Sequence, residues 1–178
     1  ASALAFEPVV ASGPNAAKPH ARATGRVIQA GEPISMDFGC VVDGYCSDLT
    51  RTVCLGEPAE DRYLTVWNTV YQAQQAALRG AKGGMTGEAV DKLARDVVKA
   101  AGFGDYLGHG LGHSLGLDVH EPPRYSFTYP DEVPAGVVMT IEPGIYIPGW
   151  GGVRLEDVVR VKEDGVEVLS AAPKVPVI

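Results

Sequence analysis

The chain has 178 residues, 46% of them hydrophobic, and a formal charge of −7. That length buries one sizeable core, so one domain spanning residues 1–178 is the expectation. The acidic balance argues against a nucleic-acid surface, and no apolar run reaches the roughly 18 residues of a membrane span.

The opening residues, ASALAFEPVV, hold neither a basic segment nor a long apolar run, so no signal peptide is expected. They lack an initiator Met, which predicts a processed chain or a fragment. Cys40, Cys46 and Cys54 show no CxxC spacing, which predicts reduced thiols and a cytoplasmic setting. Residues 5–12 predict a short strand ended by Gly13-Pro14-Asn15, and a loop carrying His20 follows. Taken alone, that histidine reads as solvated or capping. Residues 26–28 predict another short strand.

Residues 36–52, MDFGCVVDGYCSDLTRT, read as a β-hairpin around Asp43-Gly44, a pair suited to a two-residue turn with φ > 0. The implied register sets 42 against 45, 39 against 48 and 37 against 50. Asp37 and Asp48 then share a face as diagonal neighbours, and Gly39 leaves a hole opposite Asp48, read as space for metal and water. Two converging carboxylates need a cation, a shared proton or an arginine; solvated aspartates on an exposed face are the plain alternative.

After Pro58 the period changes. Tyr63, Val66, Trp67, Val70, Ala73 and Ala77 form one stripe, predicting an amphipathic helix over 59–80. Thr86 reads as the N-cap of a second helix, stopped by Gly102. A glycine- and histidine-rich stretch spans 104–123, and residues 124–134 read as a loop. Residues 135–147 predict a strand pair broken at Pro143-Gly144. Residues 153–161 predict one strand, turned at 163–165 into a last strand over 166–169. The order of hairpin, two helices and hairpin fits an α+β domain with helices on one face of an antiparallel sheet.

Three of the four histidines, His109, His113 and His120, fall in the glycine-rich stretch. Glu142 and Glu156 each stand in an apolar strand, where an unpartnered carboxylate is costly. With Asp37, Asp48 and His113 they make four carboxylates and one imidazole. A charge of −4 matches two divalent cations, and such ligands suit Mn²⁺, Co²⁺, Fe²⁺ or Zn²⁺. Two such ions can generate a hydroxide and clamp the transition state of amide hydrolysis.

The motifs DFG…DGYCSDLTRT, HGLGHSLGLDVHE, TIEPGIY and GVRLEDVV, in that order, resemble the pita-bread metallopeptidases, the group of methionine aminopeptidase, prolidase and aminopeptidase P. The resemblance spans about residues 8–170, includes the 11-residue spacing from Asp37 to Asp48, and is strongest to the Xaa-Pro enzymes. It implies a curved antiparallel sheet with helices on its outer face, and hydrolysis of Xaa-Pro bonds through a metal-bridging hydroxide. Two ions, Mn²⁺ or Co²⁺ foremost, are implied on Asp37, Asp48, His113, Glu142 and Glu156, with Asp48 and Glu156 bridging. By the same resemblance Glu142 shuttles a proton and His120 binds the developing oxyanion. His109 and His20 line the pocket for the prolyl ring and its carboxyl side, and Arg154 holds the carboxylates. Methionine aminopeptidase and a non-catalytic peptide-binding module are the other readings the motifs allow.

The group's catalytic domain has two similar halves, each with its own helices. Here the first-half helices and a preceding domain are missing, so the chain reads as a C-terminal catalytic domain incomplete at its N-terminus. One sheet flank is then uncovered, which predicts poor solubility or a homodimer.

Overall fold

The computed structural model describes residues 1–178. The chain runs β1 (Ala3–Leu4), β2 (Val9–Ser12), β3 (Pro33–Phe38), β4 (Cys40–Val42), β5 (Tyr45–Cys46), β6 (Leu49–Cys54), α1 (Arg62–Gly80), α2 (Gly87–Ala100) and β7 (Gly112–Ser114), then β8 (Glu121–Tyr125), β9 (Val138–Ile141), β10 (Gly144–Ile147), β11 (Gly151–Arg154), β12 (Asp157–Lys162) and β13 (Gly165–Val168). The antiparallel sheets are ordered β13-β12-β9-β7-β8, β2-β3-β6, β1-β4-β5 and β10-β11.

The hairpin takes the expected register: Val42 pairs with Tyr45 and Asp37 with Thr50. Asp43 and Gly44 both have positive φ, at 51° and 85°. The hole at Gly39 is not space for metal or water. A Cβ there would strike the Ser47 carbonyl and the Phe6 ring, so protein fills it.

Both helices form as their patterns require. The stripe from Tyr63 to Ala77 is buried in the main core with Val90, Ala94 and Val98 of α2. Helix α1 starts three residues later than expected, at Arg62, and the Ala59 amide ahead of it donates to the Gly31 carbonyl at 2.9 Å. Thr86 caps α2 by accepting from the Ala89 amide at 3.1 Å, and Gly102 follows with φ 84°.

Three further expectations fail. Residues 26–28 form no strand; no neighbour pairs with them, and Val27 stays 73% exposed. The loop expected from 124 begins inside β8, whose two prolines are tolerated because β8 is an edge strand. The single strand over 153–161 splits into β11 and β12, which lie in different sheets. Glu142 and Glu156 therefore sit not within strands but at two adjacent junctions where the chain changes sheets.

The C-terminal tail packs back on these junctions through Arg51, which is buried. Its guanidinium donates to the carbonyls of Thr50, Glu156, Ala172 and Pro173 and to Asp157 Oδ1. Arg51→Ala strands this polar ring, and we expect it to lower stability by about 3–5 kcal/mol. Urea denaturation at fixed metal concentration checks this; a loss under about 1 kcal/mol would show that the tail contributes little.

Candidate metal centre

Asp37 on β3 and Asp48, just before β6, enter a cleft of about 480 Å³ from one side. His113 on β7 and the two junction glutamates close it, and His20, His109, His120, Arg124 and Arg154 also line it. All nine side chains singled out in the sequence, Glu142 and Glu156 among them, thus meet in one cavity within the size range of small-molecule sites.

Nδ1 of His113 lies 3.1 Å from the Ser114 carbonyl, to which it donates. That leaves Nε2 facing Glu142 Oε1 at 3.1 Å and Asp48 Oδ2 at 3.8 Å. Ligand atoms of Asp48, His113 and Glu156 lie within 4.8 Å of one another. Asp37 Oδ1, Asp48 Oδ1 and Glu156 Oε1 are buried with no hydrogen-bond partner. Buried polar atoms are nearly always satisfied, so three orphaned carboxylate oxygens converging with an imidazole nitrogen fit divalent cations.

The electrostatics agree. Burial, followed by the charges of Asp37 and Glu142, pushes Asp48 up to about 8. Burial raises Asp37 too, against the pull of Arg154, and Glu156 is raised by burial and then by Glu142. Glu142 is the exception. Burial would raise it, but the His113 hydrogen bond and nearby positive charge outweigh that and bring it to about 2.

Arg154, 4% exposed, ties the cage together. It donates to Asp37 Oδ2, to Thr50 Oγ1 at 3.0 Å, to the Pro19 carbonyl at 3.1 Å and to the Tyr146 hydroxyl at 3.0 Å. Thr50 in turn donates to Glu156 Oε2 at 2.6 Å. Because Arg154 can only donate, the Tyr146 proton goes to His109 Nε2 at 2.7 Å, and His109 Nδ1 donates to the Gly110 carbonyl at 2.7 Å. Both ring nitrogens of His109 are thus engaged within the protein, and burial holds the ring neutral. It therefore offers the cleft ring carbon and no free nitrogen. Arg154→Met is expected to weaken Mn²⁺ binding about 10–100-fold, measured by calorimetry; unchanged affinity would contradict the tie.

The His109 segment is fixed from α2. Buried Asp91 accepts from the Leu111 amide at 3.0 Å, and Arg95 bridges Asp91 to the His109 carbonyl at 3.1 Å. His120 stacks edge-on against His113, ring centroids 4.4 Å apart, and its ring makes no hydrogen bond to protein. His20 is exposed at the cleft rim.

Thr50, Tyr146 and Arg124 escaped the sequence reading. Asp48, Thr50 and Thr52 alternate along one strand face, which was the available signal for Thr50. A tyrosine in the apolar run GIYI needs a partner for its hydroxyl, which was the signal for Tyr146. Arg124 stands opposite His113 on β8, hidden by the prolines before it.

Residues 1–163 match the metallopeptidase family M24. The chain is 43% identical over 166 residues to the Xaa-Pro dipeptidase of Pyrococcus furiosus, covering 93% of this chain and 47% of that one. It superimposes with a TM-score of 0.97 on the Xaa-Pro dipeptidase from Bacillus anthracis, at 42% identity, covering 100% of this chain and 50% of that one. The X-Pro aminopeptidase from Thermotoga maritima gives 0.96 at 43% identity, with 100% and 51% covered. The architecture is thus the pita-bread fold the motifs implied. The chain spans about half the length of the curated relatives it matches. Since the matched span takes in every residue of the cleft, the chain belongs to metallopeptidase family M24.

Proposed function

We propose that residues 1–178 form the catalytic part of a dinuclear metal-dependent peptidase that cleaves Xaa-Pro bonds, in dipeptides or at the N-terminus of longer peptides. The observation that carries this is the convergence of Asp37, Asp48, His113, Glu142 and Glu156, with three of their buried oxygens unpaired. Two divalent ions fit there, Mn²⁺ or Co²⁺ foremost, with Zn²⁺ or Fe²⁺ compatible. Bound ions supply Lewis acidity, lowering the pKa of a water and polarising the scissile carbonyl.

The chain's own residues do the rest. Glu142, kept ionised, takes the proton of the attacking water and delivers it to the leaving nitrogen. His120, whose ring nitrogens have no protein partner, hydrogen-bonds the carbonyl oxygen as charge develops on it. The carbon surface of His109 packs against the prolyl ring, and His20 at the rim closes the pocket on the ring's carboxyl side. Arg154 holds Asp37 and, through Thr50, Glu156 in place.

We further propose a cytoplasmic homodimer. Three unpaired thiols accord with a reducing compartment. The apolar groove lined by Leu4, Phe38, Tyr45, Leu49, Leu115 and Leu169 supplies surface for a partner copy. Size-exclusion chromatography showing a monomer would count against the dimer.

The activity test uses full-length protein with added Mn²⁺ or Co²⁺, an Xaa-Pro dipeptide and an Xaa-Pro-Yaa peptide. Cleavage at the bond before proline is expected. No cleavage of either substrate with metal bound would overturn the reading, and preference for Met-Ala peptides would redirect it to a methionine aminopeptidase.

A further inference from the structure

Gln74 stands on the buried stripe of α1, between Val70 and Ala77, and is 0% exposed. Its side-chain amide nitrogen donates to the Ile141 carbonyl at 3.2 Å and to the Leu155 carbonyl at 3.1 Å. Those carbonyls belong to the peptide units that lead directly into Glu142 and Glu156. The opposite edges of the same two units are held as well. The Glu142 amide donates to the Leu111 carbonyl at 2.8 Å, and the Glu156 amide donates to the Thr50 carbonyl at 3.1 Å.

Both peptide units lie where the chain leaves one sheet for another, so a regular ladder does not fix them as it fixes a mid-strand residue. One amide group spans the two junctions and sets their separation. Its orientation is forced, since a flipped amide would aim its oxygen at two carbonyl oxygens. The consequence is that Gln74 Oε1 is buried without a partner. An unsatisfied buried acceptor costs about 1–3 kcal/mol, which a Leu or Met packed at this point of the stripe would not incur. A residue selected for packing alone would not be glutamine.

We infer that Gln74 is a positioning residue for the metal centre, holding the backbones of Glu142 and Glu156 at the spacing their carboxylates need to share a pair of divalent cations. The inference rests on the metal-centre reading above. It assigns to α1, a helix outside the cleft, a direct hold on two of the ligands.

The test uses full-length protein and compares wild type with Gln74→Met and Gln74→Leu, which keep the volume and remove the donor. Thr69→Val serves as control, because the Thr69 hydroxyl bonds only within α1, to the Thr65 carbonyl. Each variant's melting temperature and Mn²⁺ dissociation constant are measured, the latter well below melting. The expected result is an Mn²⁺ constant raised at least about tenfold in both Gln74 variants, with melting close to wild type. Thr69→Val should shift melting at most and leave Mn²⁺ binding unchanged. If either Gln74 variant folds and binds Mn²⁺ within about twofold of wild type, the inference is overturned. Should neither fold, amide exchange at Glu142 and Glu156 in metal-free Gln74→Asn decides: exchange no faster than wild type overturns it. A wild type that binds Mn²⁺ but cleaves no Xaa-Pro peptide overturns the peptidase reading and leaves this comparison standing.

Discussion

Asp48→Asn is expected to release both metal ions, and Asp37→Asn to empty mainly one. The difference follows from how many carboxylate oxygens each residue has to offer. Asp37 gives Oδ2 to Arg154 and keeps only Oδ1 free. Asp48, 7% exposed, lies among Asp37, His113 and Glu156, and no backbone amide or arginine engages its carboxylate. A carboxylate so placed can bridge. Its loss should weaken Mn²⁺ binding by on the order of 100-fold or more, at or beyond the upper end of what losing a supporting partner costs. Metal content and titration of the two variants, with wild type alongside, check this. Equal loss from both would show that Asp48 does not bridge.

Metal-free protein is expected to lose stability as pH rises from about 7 to about 8.5. Asp48 is raised from its ordinary 3.8 to about 8, first by burial and then by Asp37 and Glu142. An acid with a raised folded pKa binds more protons folded than unfolded. Its contribution is complete below about 4 and is lost as pH climbs through about 8. Glu156 is displaced in the same direction, by burial and then by Glu142. Burial would lower His113, but its bond with Glu142, the charges of Glu142 and Asp48 and the Ser114 carbonyl together raise it, so it acts in the same sense. His109 and His120, lowered by burial, act in the opposite sense, but only until the unfolded imidazoles have lost their protons at about pH 7.5. Each titrating group adds a slope of up to about 1.4 kcal/mol per pH unit. Denaturant unfolding with a chelator, at several pH values in this window, measures it. Saturating Mn²⁺ should raise stability and flatten the slope, because cations keep these carboxylates ionised in the fold. Metal-free stability that rises with pH would contradict the electrostatic account.

The sequence carried the residues of the cleft far better than it carried their setting. The DG turn fixes the hairpin register, and the register alone brings Asp37 and Asp48 to one face, as found. The α1 stripe and the Thr86 cap were equally legible, because helical periodicity and capping are local. Glu142 and Glu156 were recognised as residues out of place in apolar runs, but were read as lying mid-strand. Local pattern cannot show that β9–β10 and β11–β12 change sheets side by side, since that depends on which distant strands pair. The supporting groups were hidden for the same reason. Gln74, Asp91 and Thr50 are ordinary polar residues until a partner far along the chain gives each a task. Gly39 shows the opposite error: a hole inferred from pairing alone was filled by Phe6, which the hairpin pattern could not foresee.

The most direct test is metal stoichiometry. Full-length protein loaded with Mn²⁺ and freed of excess should retain two ions per chain, lost together on replacing Asp48. One ion or fewer in the wild type would contradict the dinuclear centre on which the proposed function rests.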